Sequence, residues 1–67
     1  MRAGTVKWFH GGKGYGFIRP VDGSDDVFVF YPNIEGEGHK MLSIGQSVNF
    51  ESSLNDSGYH ATRVVPV

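Results

Sequence analysis

Tyr15-Gly16-Phe17-Ile18-Arg19, Pro20-Val21-Asp22-Gly23-Ser24-Asp25-Asp26 and Val27-Phe28-Val29-Phe30 form the continuous stretch on which the fold turns. Its two ends are rich in β-branched and aromatic residues that alternate with a period of two, the pattern of β-strands. Asp22-Gly23 between them is a strong turn signal, so the stretch reads as two strands joined through the Pro20-to-Asp26 connection. Successive side chains of a strand point to opposite faces. Tyr15 and Phe17 therefore share one face and Phe28 and Phe30 another, with Ile18, Val27 and Val29 on the reverse sides. When the strands pair, the rings fall on one common surface.

Both surfaces are apolar and only one can be the core. Working outward, strands are expected at residues 5–9, 15–19, 27–30, 46–52 and 59–65, separated by glycine-, proline- and aspartate-rich breaks. A loop follows at 10–14 and a turn at 55–58. The longer connection at 34–45 has room for a short helical turn. Five short strands without helices predict an all-β chain, one domain over residues 1–67, folded as a five-stranded antiparallel barrel that is closed or nearly so. Its narrow lumen suits compact side chains: Val6, Ile18, Val27, Val29, Ile34, Val48, Thr62 and Val64. Four phenyl-sized rings from two strands would overfill it, so Tyr15, Phe17, Phe28 and Phe30 are placed outside. Rings exposed in that number mark a binding surface. Phe50 shares a face with Val48 and is expected in the core, whereas for Phe9 the core and the surface are equally compatible with the pattern.

Composition narrows what that surface binds. Six Lys and Arg stand against seven Asp and Glu, for a net charge of −1. That balance argues against an electrostatic clamp on duplex DNA, which needs many phosphate contacts. It is compatible with single strands, whose bases stack on aromatic rings with little need for charge. The chain has one Trp, three Tyr and five Phe among 67 residues. Lys7 beside Trp8 and Lys13 before Tyr15 frame the rings, and interleaved cations and rings suit a polyanion with flat π-faces. A domain of this size buries only about 60% of the surface its unfolded chain exposes, which leaves no room for a deep catalytic cleft. With no cysteine, neither disulfides nor thiolate metal sites staple it. The opening residues lack the apolar run of a signal peptide and no stretch reaches the length of a membrane span, so a cytoplasmic location is expected.

Lys13-Gly14-Tyr15-Gly16-Phe17-Ile18 and Val27-Phe28-Val29-Phe30-Tyr31, together with the leading Gly4-Thr5-Val6-Lys7-Trp8-Phe9 and with Gly36-Glu37-Gly38, resemble the bacterial cold-shock proteins over essentially the whole chain. The resemblance implies an OB-type barrel, sequence-tolerant binding of single-stranded RNA and DNA, and a role as an RNA chaperone. It implies a binding set of Lys7, Trp8, Lys13, Tyr15, Phe17, Asp26, Phe28 and Tyr31, with Phe9 as an addition. Asp26 would offer its carboxylate to base N–H groups, although a carboxylate at a strand entry has an equally plain role in the turn. Several positions depart from the family pattern. Phe30 replaces a histidine by a purely stacking ring. His39 replaces an aromatic, which makes stacking there weaker and titratable. Pro32-Asn33 stands for Ser-Ala. Gly58-Tyr59-His60 stands for Gly-Pro-Gln, so that Tyr59 adds a platform and His60 a base contact, and Ser57 lacks the loop's frequent basic group.

Other constellations are weaker. Gly12-Lys13-Gly14 lacks the Gly-Lys-Ser/Thr ending of a phosphate loop and leads into a strand. His10, His39 and His60 have no local pairing that would hold a metal, and no nucleophile elbow is present, so neither a metal, a cofactor nor a hydrolytic activity is expected. A proline-rich peptide module is the rival class, because small barrels with aromatic faces also bind such ligands. It would want acidic residues beside the rings, where this chain has Lys7 and Lys13. The expected partners are thus single-stranded RNA and DNA, with no membrane and no obligate protein partner. A monomer is expected, and the glycine-rich middle connection is where halves of two copies would exchange.

Overall fold

A computed structural model describes residues 1–36 and 41–67. Its elements are β1 (Arg2–His10), β2 (Tyr15–Pro20), β3 (Val27–Phe30), a 3₁₀ turn (Tyr31–Asn33), β4 (Ser47–Asn55) and β5 (Gly58–Pro66). The strands close into a barrel in the order β1-β2-β3-β5-β4. β3 has the expected bounds. β1 starts earlier than the sequence pattern suggests because Arg2 and Ala3 pair with Phe50 and Asn49 of β4. The Ser53-Leu54-Asn55 run stays in strand form because it pairs across a tight hairpin with Gly58 to His60. The one helical turn among the described residues lies at Tyr31–Asn33, before the 34–45 connection, of which residues 37–40 fall outside the described ones; the fixed φ of Pro32 favours tight turning there.

The barrel is mixed and not purely antiparallel as expected. Four seams are antiparallel, and the fifth, between β3 and β5, is parallel at Phe28↔His60. The cause is parity. Strands around a closed ring can alternate in direction only if their number is even, so five strands leave one neighbouring pair running the same way. A parallel bridge at Ile34↔Val64 extends that seam, and the Glu35 N–H donating to the Val64 carbonyl at 2.7 Å secures it.

The lumen holds Val6, Ile18, Val27, Val29, Ile34, Leu42, Val48, Phe50, Ala61 and Val64, all buried. Thr62, expected inside, is exposed, and Ala61 takes its place. The ladder explains the swap. Glu51 pairs with Arg63 while Ser52 pairs with Ala61, so Thr62 is the extra residue of a β-bulge and the alternation of β5 slips there. Among the described residues Phe50 is the one aromatic ring sealed in the lumen, and the Arg2 guanidinium lies 5.1 Å over it as a lid on that end of the barrel. No described helix is long and apolar enough to cross a membrane.

Candidate functional site

The outer surface of β1, β2 and β3 carries the rings. In β2 and β3 strict alternation does the sorting. Ile18, Val27 and Val29 are fully buried, while Tyr15 pairs directly with Phe30 and Phe17 with Phe28 on the opposite face. In β1 a second bulge decides the outcome. Val6 pairs with Ile18 and Trp8 with Phe17, leaving Lys7 as the extra residue. Past the bulge, Trp8 faces outward beside Phe17, and Phe9 turns inward, where it packs against the core. Phe9 fits there because its partner Gly16 has no side chain. A Cβ at Gly16 would collide with the Trp8 carbonyl oxygen and approach the Phe9 Cα to 2.8 Å. Of the two readings open for Phe9, the geometry takes the inner one.

The rings form a connected surface. Trp8 meets Tyr15 edge-on at 5.5 Å and Phe17 at 5.6 Å between centroids. Phe28 stacks near Tyr15 at 5.9 Å and meets Phe17 edge-on at 5.7 Å. Phe30 and Tyr31 form a second group at 5.2 Å, joined to the first through the Tyr15↔Phe30 pair. Tyr31 is seated on Gly14, whose positive φ of 76° lets the chain turn and whose missing Cβ leaves room for the phenol ring. Phe28, Phe30 and Tyr31 remain 36%, 42% and 48% exposed despite these contacts, which separates them from the sealed Phe50. Centroid spacings of this kind are those of mutually supporting aromatic pairs, so the rings hold one another in place while their outer faces stay open to solvent.

His10 is a member that the sequence pattern does not single out. Its ring lies parallel to Tyr15, 6.1 Å away with planes 2° apart. Its Nδ1 accepts the backbone N–H of Lys13 at 3.1 Å. Only the register of the β1–β2 hairpin reveals the placement, through the His10↔Tyr15 pair. The Lys13 side chain is exposed at the same end.

Lys7 and Asp26, both named as site residues, are ion-paired at 2.8 Å and form the opposite rim. Asp26 thus anchors a cation beside the rings as well as ending the turn. The turn itself is tightened at Asp22, whose Oδ1 accepts the Ser24 hydroxyl at 2.6 Å and the Ser24 N–H at 3.0 Å. Those bonds, with the Arg2 guanidinium nearby, hold the Asp22 carboxyl below the ordinary carboxylate value.

The remaining named residues lie elsewhere. His60 neighbours Phe28 across the parallel seam and is half-buried, with Nδ1 3.1 Å from Asn55 Nδ2. Tyr59 is exposed at the barrel end, lining a shallow cleft with Arg2, Ser24 and Asp25, apart from the ring surface. His39 falls outside the described residues. Among the described residues, no three His, Cys, Asp or Glu side chains group to hold a metal ion.

The chain matches the family model for the "'Cold-shock' DNA-binding domain" over residues 2–67. It is similar to the cold shock-like protein CspD of Escherichia coli strain K12, with 46% identity over 67 residues, covering 100% of this chain and 90% of that one. It is similar to the cold shock-like protein CspLB of Listeria monocytogenes, with 55% identity over 64 residues and 96% of each chain covered. A probable cold shock protein A of Mycolicibacterium smegmatis is 52% identical over 64 residues. Among solved structures, drosophila Unr CSD456 superposes with a TM-score of 0.77 at 21% identity, a likeness of fold that covers 98% of this chain and 26% of that one.

Proposed function

The chain belongs to the cold-shock DNA-binding domain family, and on that basis we propose that it binds single-stranded RNA and DNA with little sequence preference. Bases stack on Trp8, Tyr15, Phe17, Phe28, Phe30 and Tyr31, and Lys7 and Lys13 meet phosphates at the rims. The observation that carries this reading is the connected, half-open ring surface on β1–β3. A base stacked on an aromatic side chain contributes about 1–3 kcal/mol. Three or four such contacts outweigh two exposed Lys–phosphate pairs, so affinity falls gently with salt. Every base has a π-face, which is why the preference among bases is weak. A monomer of this kind works in the cytoplasm by holding transcripts open, without catalysis and without a cofactor.

Trp8 lies within the ring surface, 5.5 Å from Tyr15, and is therefore a direct reporter. Its fluorescence quenches on titration with a single-stranded heptanucleotide and is unmoved by a proline-rich peptide. Quenching by the peptide alone would overturn the proposal in favour of a peptide-binding module.

A further inference from the structure

We propose that the nucleic-acid track continues past Phe17, over Lys7, into a shallow groove where Arg19 takes a phosphate and Ile44 seats the adjoining sugar or base. The inference rests on the single-strand reading above and extends its site. The groove is lined by Thr5, Val6, Lys7, Arg19, Ile44 and Gly45.

Three observations join it to the ring surface. Arg19 is the next outward residue of β2 after Tyr15 and Phe17, because Gly16, Ile18 and Pro20 are buried between them. It pairs across the ladder with Thr5, two residues before Lys7. Lys7 lines the groove and immediately precedes Trp8, so a strand leaving the rings passes this lysine on its way into the groove. The far wall is fixed. The Gly45 N–H donates to the Val6 carbonyl at 2.8 Å and the Val6 N–H to the Gln46 carbonyl at 2.9 Å, which clamps the segment bearing Ile44 along β1.

The chemistry fits a nucleotide. Arg2, Lys7 and Arg63 are each engaged with a carboxylate, whereas Arg19 forms no ion pair among the described residues. Its guanidinium is exposed, and its planar fork matches two phosphate oxygens. Ile44 is 76% exposed beside these cations, an apolar contact for the less polar part of a nucleotide. A shorter oligonucleotide occupies the rings alone, and a longer one reaches Arg19.

The test is a titration of oligothymidylates from about four to about twelve nucleotides, within the site sizes known for such barrels, repeated across a salt series. Wild type, Arg19→Gln, Arg19→Lys and Ile44→Ser are compared. Arg19→Gln is expected to bind the shortest ligands like wild type and to lose several-fold on the longest. Its salt slope on the longest ligand falls by about 0.7, the contribution of one single-strand phosphate contact. Arg19→Lys keeps the slope, and Ile44→Ser weakens only the longer ligands. Equal affinities and slopes for wild type and Arg19→Gln at every length overturn the groove while leaving the ring surface intact. A wild-type protein that binds none of the oligonucleotides overturns both. Circular dichroism and the thermal midpoint confirm that each exposed-site variant is folded, and a variant that unfolds is replaced by Arg19→Ser in the same comparison.

Discussion

Lys7 is one residue more than its ladder accommodates, and the consequence reaches the site. Plain alternation along Val6-Lys7-Trp8-Phe9 would put Trp8 inside with Val6 and Phe9 outside with Lys7. The bulge reverses both. A bulge of this kind leaves no mark on the period of a sequence, so periodicity alone would misplace the indole, and only the family pattern pointed to it. In β2 and β3, where no bulge intervenes, alternation was enough to separate Ile18, Val27 and Val29 from Tyr15, Phe17, Phe28 and Phe30. Two predictions belong here. Phe17→Ala and Phe28→Ala are each expected to weaken binding to a short oligothymidine about ten-fold, or about 1.4 kcal/mol, by titration calorimetry, with the barrel still folded because both side chains stand outside the core. Gly16→Ala drives a methyl into the backbone of Trp8 and Phe9. It is expected to destabilise by about 1–3 kcal/mol, the cost typical of overpacking, measured as a shift in the urea midpoint.

Elements were more legible than their edges. The β2–β3 hairpin was fixed by Asp22-Gly23 between two alternating runs, and Gly23 does take the positive φ of 82° that the turn needs. The ends of β1 and β4 were hidden because Arg2, Ala3 and the Ser53-Leu54-Asn55 run are strand-forming only through their partners. Thr62 is exposed and not in the lumen as expected, because a bulge breaks the period of β5 as the one at Lys7 does in β1, where Trp8 nevertheless faces outward as the family pattern implies. The Asp22 turn gives a prediction at this scale. Its carboxyl is held below the ordinary carboxylate value chiefly by the Ser24 hydroxyl and N–H. A group with a lowered folded-state pKa adds stability above its unfolded value and loses it as pH falls through the folded one. Asp22→Asn is therefore expected to lower the thermal midpoint near neutrality and to leave it close to wild type in acid, so that its decline with falling pH is flatter. A decline as steep as that of wild type would show that these bonds do not differ between the folded and unfolded chains.

As a whole molecule the barrel is small, and its lumen is filled around a single ring. Stabilities of about 0.05–0.15 kcal/mol per residue give a chain of 67 residues a total of about 3–10 kcal/mol. Replacing a buried phenylalanine by alanine removes about 3–5 kcal/mol, so Phe50→Ala is expected to leave a substantial unfolded fraction at 25 °C, read from the denaturation baseline. The closed five-strand plan was legible from strand count and turn spacing. The direction of its last seam was not, since the expected barrel is antiparallel throughout, and the parallel β3–β5 pair is what an odd number of strands around a closed ring requires. Between β3 and β5 themselves that seam has one paired position, continued past the end of β3 by the Ile34↔Val64 bridge, whereas β1 and β4 share four. The molecule is in effect a three-strand sheet and a two-strand hairpin, hinged firmly along one joint and latched lightly along the other. An oligonucleotide draped over Phe28 and His60 would splint the light latch, and the amide protons flanking it are the ones whose exchange into heavy water it should slow the most.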